Sequence, residues 1–122
     1  MSGNTTMIED FCKAWSRLDP TELASYFTED GIYHNMPTDP VRGRDAIEKF
    51  IRGFAGSWTK SEWEILNLAE TGDVVFAERL DRTQAGEKSV DLPCTGVFTI
   101  RDGKIACWRD YFDIGAYSRA MR

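Results

Sequence analysis

An α+β fold is predicted by three features of this chain: helical apolar spacing in its first half, successive strand-like runs after residue 60, and turn residues between those runs. Met7, Ile8, Phe11, Trp15 and Leu18 recur at the spacing of one helix face. Asp19-Pro20-Thr21-Glu22 restarts a second, short helix. Asp19 caps the free N–H groups, Pro20 suits the first helical position, and Glu22 completes a capping-box-like spacing. Leu23, Tyr26 and Phe27 form the buried side of that helix, and Thr28-Glu29-Asp30-Gly31 breaks it.

Ile32 to Asn35 reads as a short strand ended by Met36-Pro37, followed by a loop with two prolines and Gly43. A third helix begins near Arg44-Asp45, buries Ile47, Phe50, Ile51 and Phe54, and stops at Gly56. Four strands follow, at about 63–69, 74–84, 89–100 and 104–112. Their turns are Thr71-Gly72-Asp73, Ala85-Gly86-Glu87 and Arg101-Asp102-Gly103-Lys104; the Asp-Gly pair in the last is a strong hairpin signal. Asp113 caps a closing helix carrying Ile114, Tyr117 and Met121. With no linker, repeat or low-complexity segment, residues 1–122 are expected to form a single domain.

Fifteen basic and twenty acidic residues give a net charge of −5, which repels phosphate backbones and argues against a nucleic-acid partner. No apolar run approaches a membrane span, and MSGNTTMIEDF lacks the basic-then-apolar pattern of a secretory signal. The widely spaced Cys12, Cys94 and Cys107 read as reduced, buried thiols of a cytoplasmic protein. A single histidine, His34, and no Cys-x-x-Cys or His-x-x-x-His spacing predict no metal site, and no cofactor is expected. Four Trp, seven Phe and four Tyr supply more aromatic bulk than one small core needs, enough to line a cavity as well.

Strand parity exposes polar residues in unusual places. Val75, Ala77, Arg79 and Asp81 share one face of their strand; Ala106, Trp108, Asp110 and Phe112 share one face of the last. A carboxylate between Trp and Phe on an apolar face is costly to bury without a partner, and an arginine on the neighbouring sheet surface is the natural one. Tyr33 and Asn35 repeat the pattern on the first strand. Taken singly, each has a plain structural reading: a charge ladder on a sheet edge, a turn acceptor, a strand end. Their occurrence together on inward faces points to a site. His34 and Arg109 alternate away from these faces and stay outside the chemistry.

YHNMP at 33–37, GRDAIE at 43–48, AERLD at 77–81, GVFTI at 96–100 and GKIACWRDYFD at 103–113 resemble the limonene-1,2-epoxide hydrolase family over nearly the whole chain. The connection around residues 85–88 is slightly shorter than the family's. The resemblance implies a nuclear-transport-factor-2-like fold: a curved mixed sheet wrapped around N-terminal helices, forming a cone with an interior pocket, usually a homodimer through the sheet. It implies Asp110 as the general base that activates water, Asp81 as the acid that protonates the epoxide oxygen, and Arg79 as the bridge between them. Tyr33 and Asn35 would hold the water, and Trp15, Phe54, Leu92, Cys94 and Phe112 would line the substrate pocket.

On that reading the partners are water and a small apolar epoxide, terpene-like, cyclic or aryl, and the product is a vicinal diol. The residue types suit the chemistry, because water needs a base as it attacks and the epoxide oxygen leaves readily only as an alcohol. Holding one aspartic acid protonated near neutral pH needs a shift of about three units, or ~4 kcal/mol, which burial and a like charge can supply. The same superfamily hosts ketosteroid isomerases and SnoaL-like cyclases or dehydratases, and a non-catalytic ligand-binding dimer module is a third reading. An isomerase has no need of an arginine bridging its acid and base.

Overall fold

The computed structural model describes residues 3–122. Helix α1 spans Gly3–Ala14 and runs into a 3-10 turn at Trp15–Arg17, which Leu18 closes in a left-handed conformation (φ 50°). Helix α2 is Pro20–Ala24. Its cap forms as expected, with Asp19 Oδ1 accepting from the N–H groups of Thr21 (3.1 Å) and Glu22 (3.3 Å). The other half of the capping box is absent: Glu22 turns to the Arg17 guanidinium at 2.7–3.1 Å, a forked, charged donor that outcompetes a backbone N–H.

Strand β1, Phe27–Asn35, begins five residues before the expected start. Phe27 belongs to it rather than to α2, because Phe27 pairs with Ile105 and the Arg44 fork holds the Phe27 carbonyl (2.7 and 3.0 Å). The Thr28–Gly31 stretch is therefore an irregularity within a strand. A two-residue strand, β2 (Val41–Arg42), lies in what reads as a loop and pairs with Ile32 and Tyr33. Helix α3 is Arg44–Phe54. A meander follows: β3 Lys60–Thr71, β4 Val74–Ala85, β5 Lys88–Arg101 and β6 Lys104–Tyr111. Asp102 and Gly103, both with positive φ (53° and 73°), make the tight β5–β6 turn. Asp113 caps the closing helix α4, Ile114–Ala120.

The six strands form one open, curved sheet in the order β2-β1-β6-β5-β4-β3, mixed because β1 and β6 run parallel. A parallel pair cannot be closed by a hairpin, so α3 and the rest of the meander lie between its two strands. Helices α1 and α3 pack Ile8, Phe11, Ile47 and Ile51 into one core with the inward sheet residues Val75, Phe98 and Trp108. Phe11 sits at its centre, its ring edge-to-face with Phe27, Phe98 and Trp108. The three cysteines are unpaired, Cys12 and Cys94 buried and Cys107 half-buried. Among the described residues, no helix is long and apolar enough to cross a membrane.

Candidate active site

Register brings the polar residues together. Asn35 on β1 lies opposite Asp110 on β6, Asp110 opposite Gly96 on β5, and Gly96 opposite Ala77 on β4. Two residues along β4, on the same face, Arg79 lies opposite Cys94; two further, Asp81 lies between Leu92 and Trp63. Residues directly opposite share a face, so these side chains converge on the inner surface of the sheet.

Arg79 is fully buried, and Asp81 and Asp110 nearly so. Its Nε and Nη2 donate to the two oxygens of Asp81 (3.0 and 2.8 Å), and its Nη1 and Nη2 to the two oxygens of Asp110 (2.9 and 3.0 Å). The planar guanidinium thus holds both carboxyls in two-point contacts, using four of its five N–H groups. One positive charge faces two carboxyls away from water, so the arrangement is electrically neutral when the pair carries one proton. Burial pushes the Asp81 carboxyl above its ordinary value; Arg79 opposes this and the Asp110 charge reinforces it. The Cys94 thiol donates to the Leu92 carbonyl oxygen (3.5 Å), and burial raises its own pKa, so it remains a thiol. Burial and the Asp110 charge hold the Tyr33 phenol well above its ordinary value, while the neighbouring Asn35 side chain acts the other way. Tyr33 stacks flat on Trp108, ring centroids 4.2 Å apart.

Tyr33, Asn35, Asp81 and Asp110 share a cavity of about 30 Å³ with Phe54, Leu92, Cys94 and Phe112. That space is the size of a water molecule, whereas an apolar cavity that takes up benzene is about 150 Å³. Half-buried Phe54, Phe112 and Tyr117 form the outer wall of that space. Asp81, Cys94 and Asp110 also offer three ligand-type atoms within 4.8 Å of one another. The charge between the carboxyls is already supplied by Arg79, whose bonds occupy the oxygens a cation would need.

The model of the limonene-1,2-epoxide hydrolase catalytic domain matches residues 2–122. The chain belongs to that family. Epoxide hydrolase EphG of Mycobacterium tuberculosis is 30% identical over 107 residues, covering 88% of this chain and 71% of that protein. The solved structure of an LEH-like epoxide hydrolase from M. tuberculosis superposes with a TM-score of 0.84 at 27% identity, over 98% of this chain and 90% of that one. The fold reaches further: a chain described as a SnoaL-like polyketide cyclase, from Shewanella putrefaciens, gives a TM-score of 0.85 at 14% identity, covering 99% and 97%.

Of the pocket residues expected from the family resemblance, Phe54, Leu92, Cys94 and Phe112 line the cavity, but Trp15 does not. Trp15 is fully buried behind the wall, stacked on Trp63 with centroids 4.2 Å apart. Trp63 takes the wall position because it pairs with Asp81 and shares its inward face; its strand starts at Lys60, three residues before the expected start. Trp58, Thr83 and Tyr117 also line the cavity. For Thr83 the signal was present, since it shares parity with Arg79 and Asp81. Trp58 and Tyr117 lie outside the strands and meet only in space, where the Trp58 indole donates to the Tyr117 hydroxyl at 2.9 Å. His34 faces away, its Nε2 2.9 Å from the Thr38 carbonyl oxygen.

The raised Asp81 carboxyl has a consequence for stability. A carboxyl with a higher pKa folded than unfolded lends stability below its unfolded value of about 3.9, and loses it as pH rises through the folded value. The stability difference between the wild type and Asp81→Asn is therefore expected to shift against the wild type as pH is raised from 4 toward neutrality, measured by urea unfolding. A pH-independent difference would show that the carboxyl is not raised.

Proposed function

We propose that this protein is an epoxide hydrolase that adds water to a small apolar epoxide in one step to give a vicinal diol. The observation that carries the reading is the buried Arg79 bridging Asp81 and Asp110 beside a water-sized space. Asp110, with Tyr33 and Asn35 at its side, takes a proton from water as the water oxygen attacks an epoxide carbon. As the carbon–oxygen bond breaks, Asp81 gives its proton to the leaving oxygen, which becomes the second hydroxyl. The turnover leaves the proton on Asp110, and its return to Asp81 resets the site. Arg79 keeps the pair at one shared proton throughout. Membership of the family and the similarity to EphG support the same reading.

Styrene oxide, cyclohexene oxide and limonene oxide should all be tested for conversion to diols, with a ketosteroid as control. Isomerisation of the ketosteroid without diol formation would overturn the proposal. The step itself is read by a single turnover with excess enzyme in ¹⁸O-water. The label is expected in the diol and none in the protein, whereas ¹⁸O in the peptide carrying Asp81 or Asp110 would mean an ester intermediate instead.

The functional unit we infer is a symmetric homodimer formed through the outer sheet face, where Phe76 is exposed. The alternating face of β3 and β4 that carries Phe76 contributes to it, while Trp63 is turned inward and takes no part. Sedimentation at micromolar concentration is expected to give a dimer, and Phe76→Glu to shift it toward monomer. A wild-type monomer would remove this interface.

A further inference from the structure

The GVFTI segment contains a glycine that the reaction scheme leaves unexplained. To reach Asp110 on β6, Arg79 on β4 must cross the intervening strand β5 diagonally, and the residue beside Asp110 on that strand is Gly96. A Cβ at 96 would sit 2.7 Å from Arg79 Nη1, 2.8 Å from the Phe98 ring and 2.9 Å from Trp108 Nε1. The backbone there is not in the left-handed region, so the requirement for glycine is one of space. The guanidinium also lies against aromatic faces, its Cζ 4.4 Å from the Trp63 centroid and 5.7 Å from that of Trp108. Trp15 stacks on Trp63 nearly parallel, 12° between planes. Trp15, Trp63 and Trp108 all bury indole N–H groups with no hydrogen-bond partner. An unpaired buried donor destabilises, so what these rings contribute is their faces.

We propose that Gly96 and Trp63 are positioning residues for Arg79: Gly96 leaves the passage through which the guanidinium reaches Asp110, and the Trp63 face fixes its plane by a cation–π contact. The catalytic consequence rests on the function proposed above; the placement of Arg79 does not. Gly96 offers no side chain to the reacting atoms, and Trp63, which pairs with Asp81 and forms part of the cavity wall, exchanges no proton in this scheme. They act by keeping one rigid cation in register with two carboxyls, and a misplacement of about 1 Å at such a site can cost on the order of 10²-fold in rate.

The test has a readout that needs no substrate. In ¹⁵N-labelled protein, the Arg79 Nε–H signal is identified by its loss in Arg79→Lys. Next to an indole face it is expected to be ring-current shifted and slow to exchange, to lose both properties in Gly96→Ala, and to exchange faster in Trp63→Leu. On an epoxide, Gly96→Ala should lower kcat by about 10- to 100-fold with little change in KM. The titratable groups facing Arg79 are Asp81, Asp110, Tyr33, Cys94 and Cys12. Arg79 holds the Asp81 pKa down, so loosening it should move the alkaline limb of kcat to higher pH. A purely packing role would leave that limb in place.

Should Gly96→Ala fail to fold, site-specific tetrafluorotryptophan at 63 keeps the shape and weakens the ring's negative face. Its kcat should fall about fivefold to tenfold, with the Nε–H exchange quickened. An unchanged Arg79 signal in the folded variants overturns the placement; a changed signal with unchanged kcat overturns the role in the reaction. If Asp110→Asn is inactive while these variants match the wild type, only this inference falls. If the wild type hydrates no epoxide, the function falls and the Arg79 signal alone decides the placement.

Discussion

Replacing Asp110 with asparagine is expected to cut epoxide turnover by about 10²–10⁴-fold while the protein stays folded. The amide has nearly the same shape, and its oxygen still accepts one of the two bonds that Asp110 takes from Arg79 at 2.9 and 3.0 Å. Its nitrogen cannot accept the other, nor can it take water's proton. A second loss follows from the charge count. Without a negative charge at 110, Asp81 becomes the only counter-ion to Arg79 and ionises, so the acid disappears together with the base. Asp81→Asn removes the acid but leaves Asp110 ionised against Arg79, so it is expected to retain water activation. Comparing the two variants on epoxides of increasing ring reactivity separates these effects, because the most reactive rings depend least on the acid. A folded Asp110→Asn protein with more than about a tenth of the wild-type rate would remove Asp110 from the role of base.

Arg79→Lys is expected to be close to inactive, and Arg79→Met to be destabilised as well. Arginine meets the two carboxyls with four N–H groups spread over three nitrogens in one plane. Lysine has a single nitrogen and cannot span both two-point contacts. Removing the charge altogether leaves two buried carboxyls with no cation, and breaking a buried pair from one side typically costs about 3–5 kcal/mol. Those carboxyls then hold their protons more firmly in the folded state than in the unfolded one. The destabilisation of Arg79→Met should therefore be largest near neutral pH and shrink as pH falls and both groups become neutral. Urea unfolding at pH 7 and pH 5 measures this. Most of the rate retained in Arg79→Lys would reduce Arg79 to a local counter-charge, and an Arg79→Met loss that does not change with pH would mean that the carboxyls are solvated.

Alternation along β4 and β6 was enough to place Arg79, Asp81 and Asp110 on inward faces, because side chains in a strand have a period of two whatever the strand is paired with. The caps at Asp19 and Asp113 and the Asp102-Gly103 turn were legible for the same kind of reason: each depends on bonds or backbone angles within a few residues. Expectation failed where a residue's place depends on a distant partner. Phe27 joins β1 because of Ile105 and Arg44. Trp63 faces the site because β3 begins at Lys60 and registers with β4, and its ring then shuts Trp15 away from the cavity. Trp58 and Tyr117, 59 residues apart, become one piece of wall only when α4 closes over the sheet. The sequence by itself thus determined the fold class, the family and the faces on which the charged residues lie. The parallel β1–β6 pairing, the passage at Gly96 and the volume left beside the carboxyls were decided by tertiary structure, since register between distant strands and the packing of bulky rings are properties of the assembled whole.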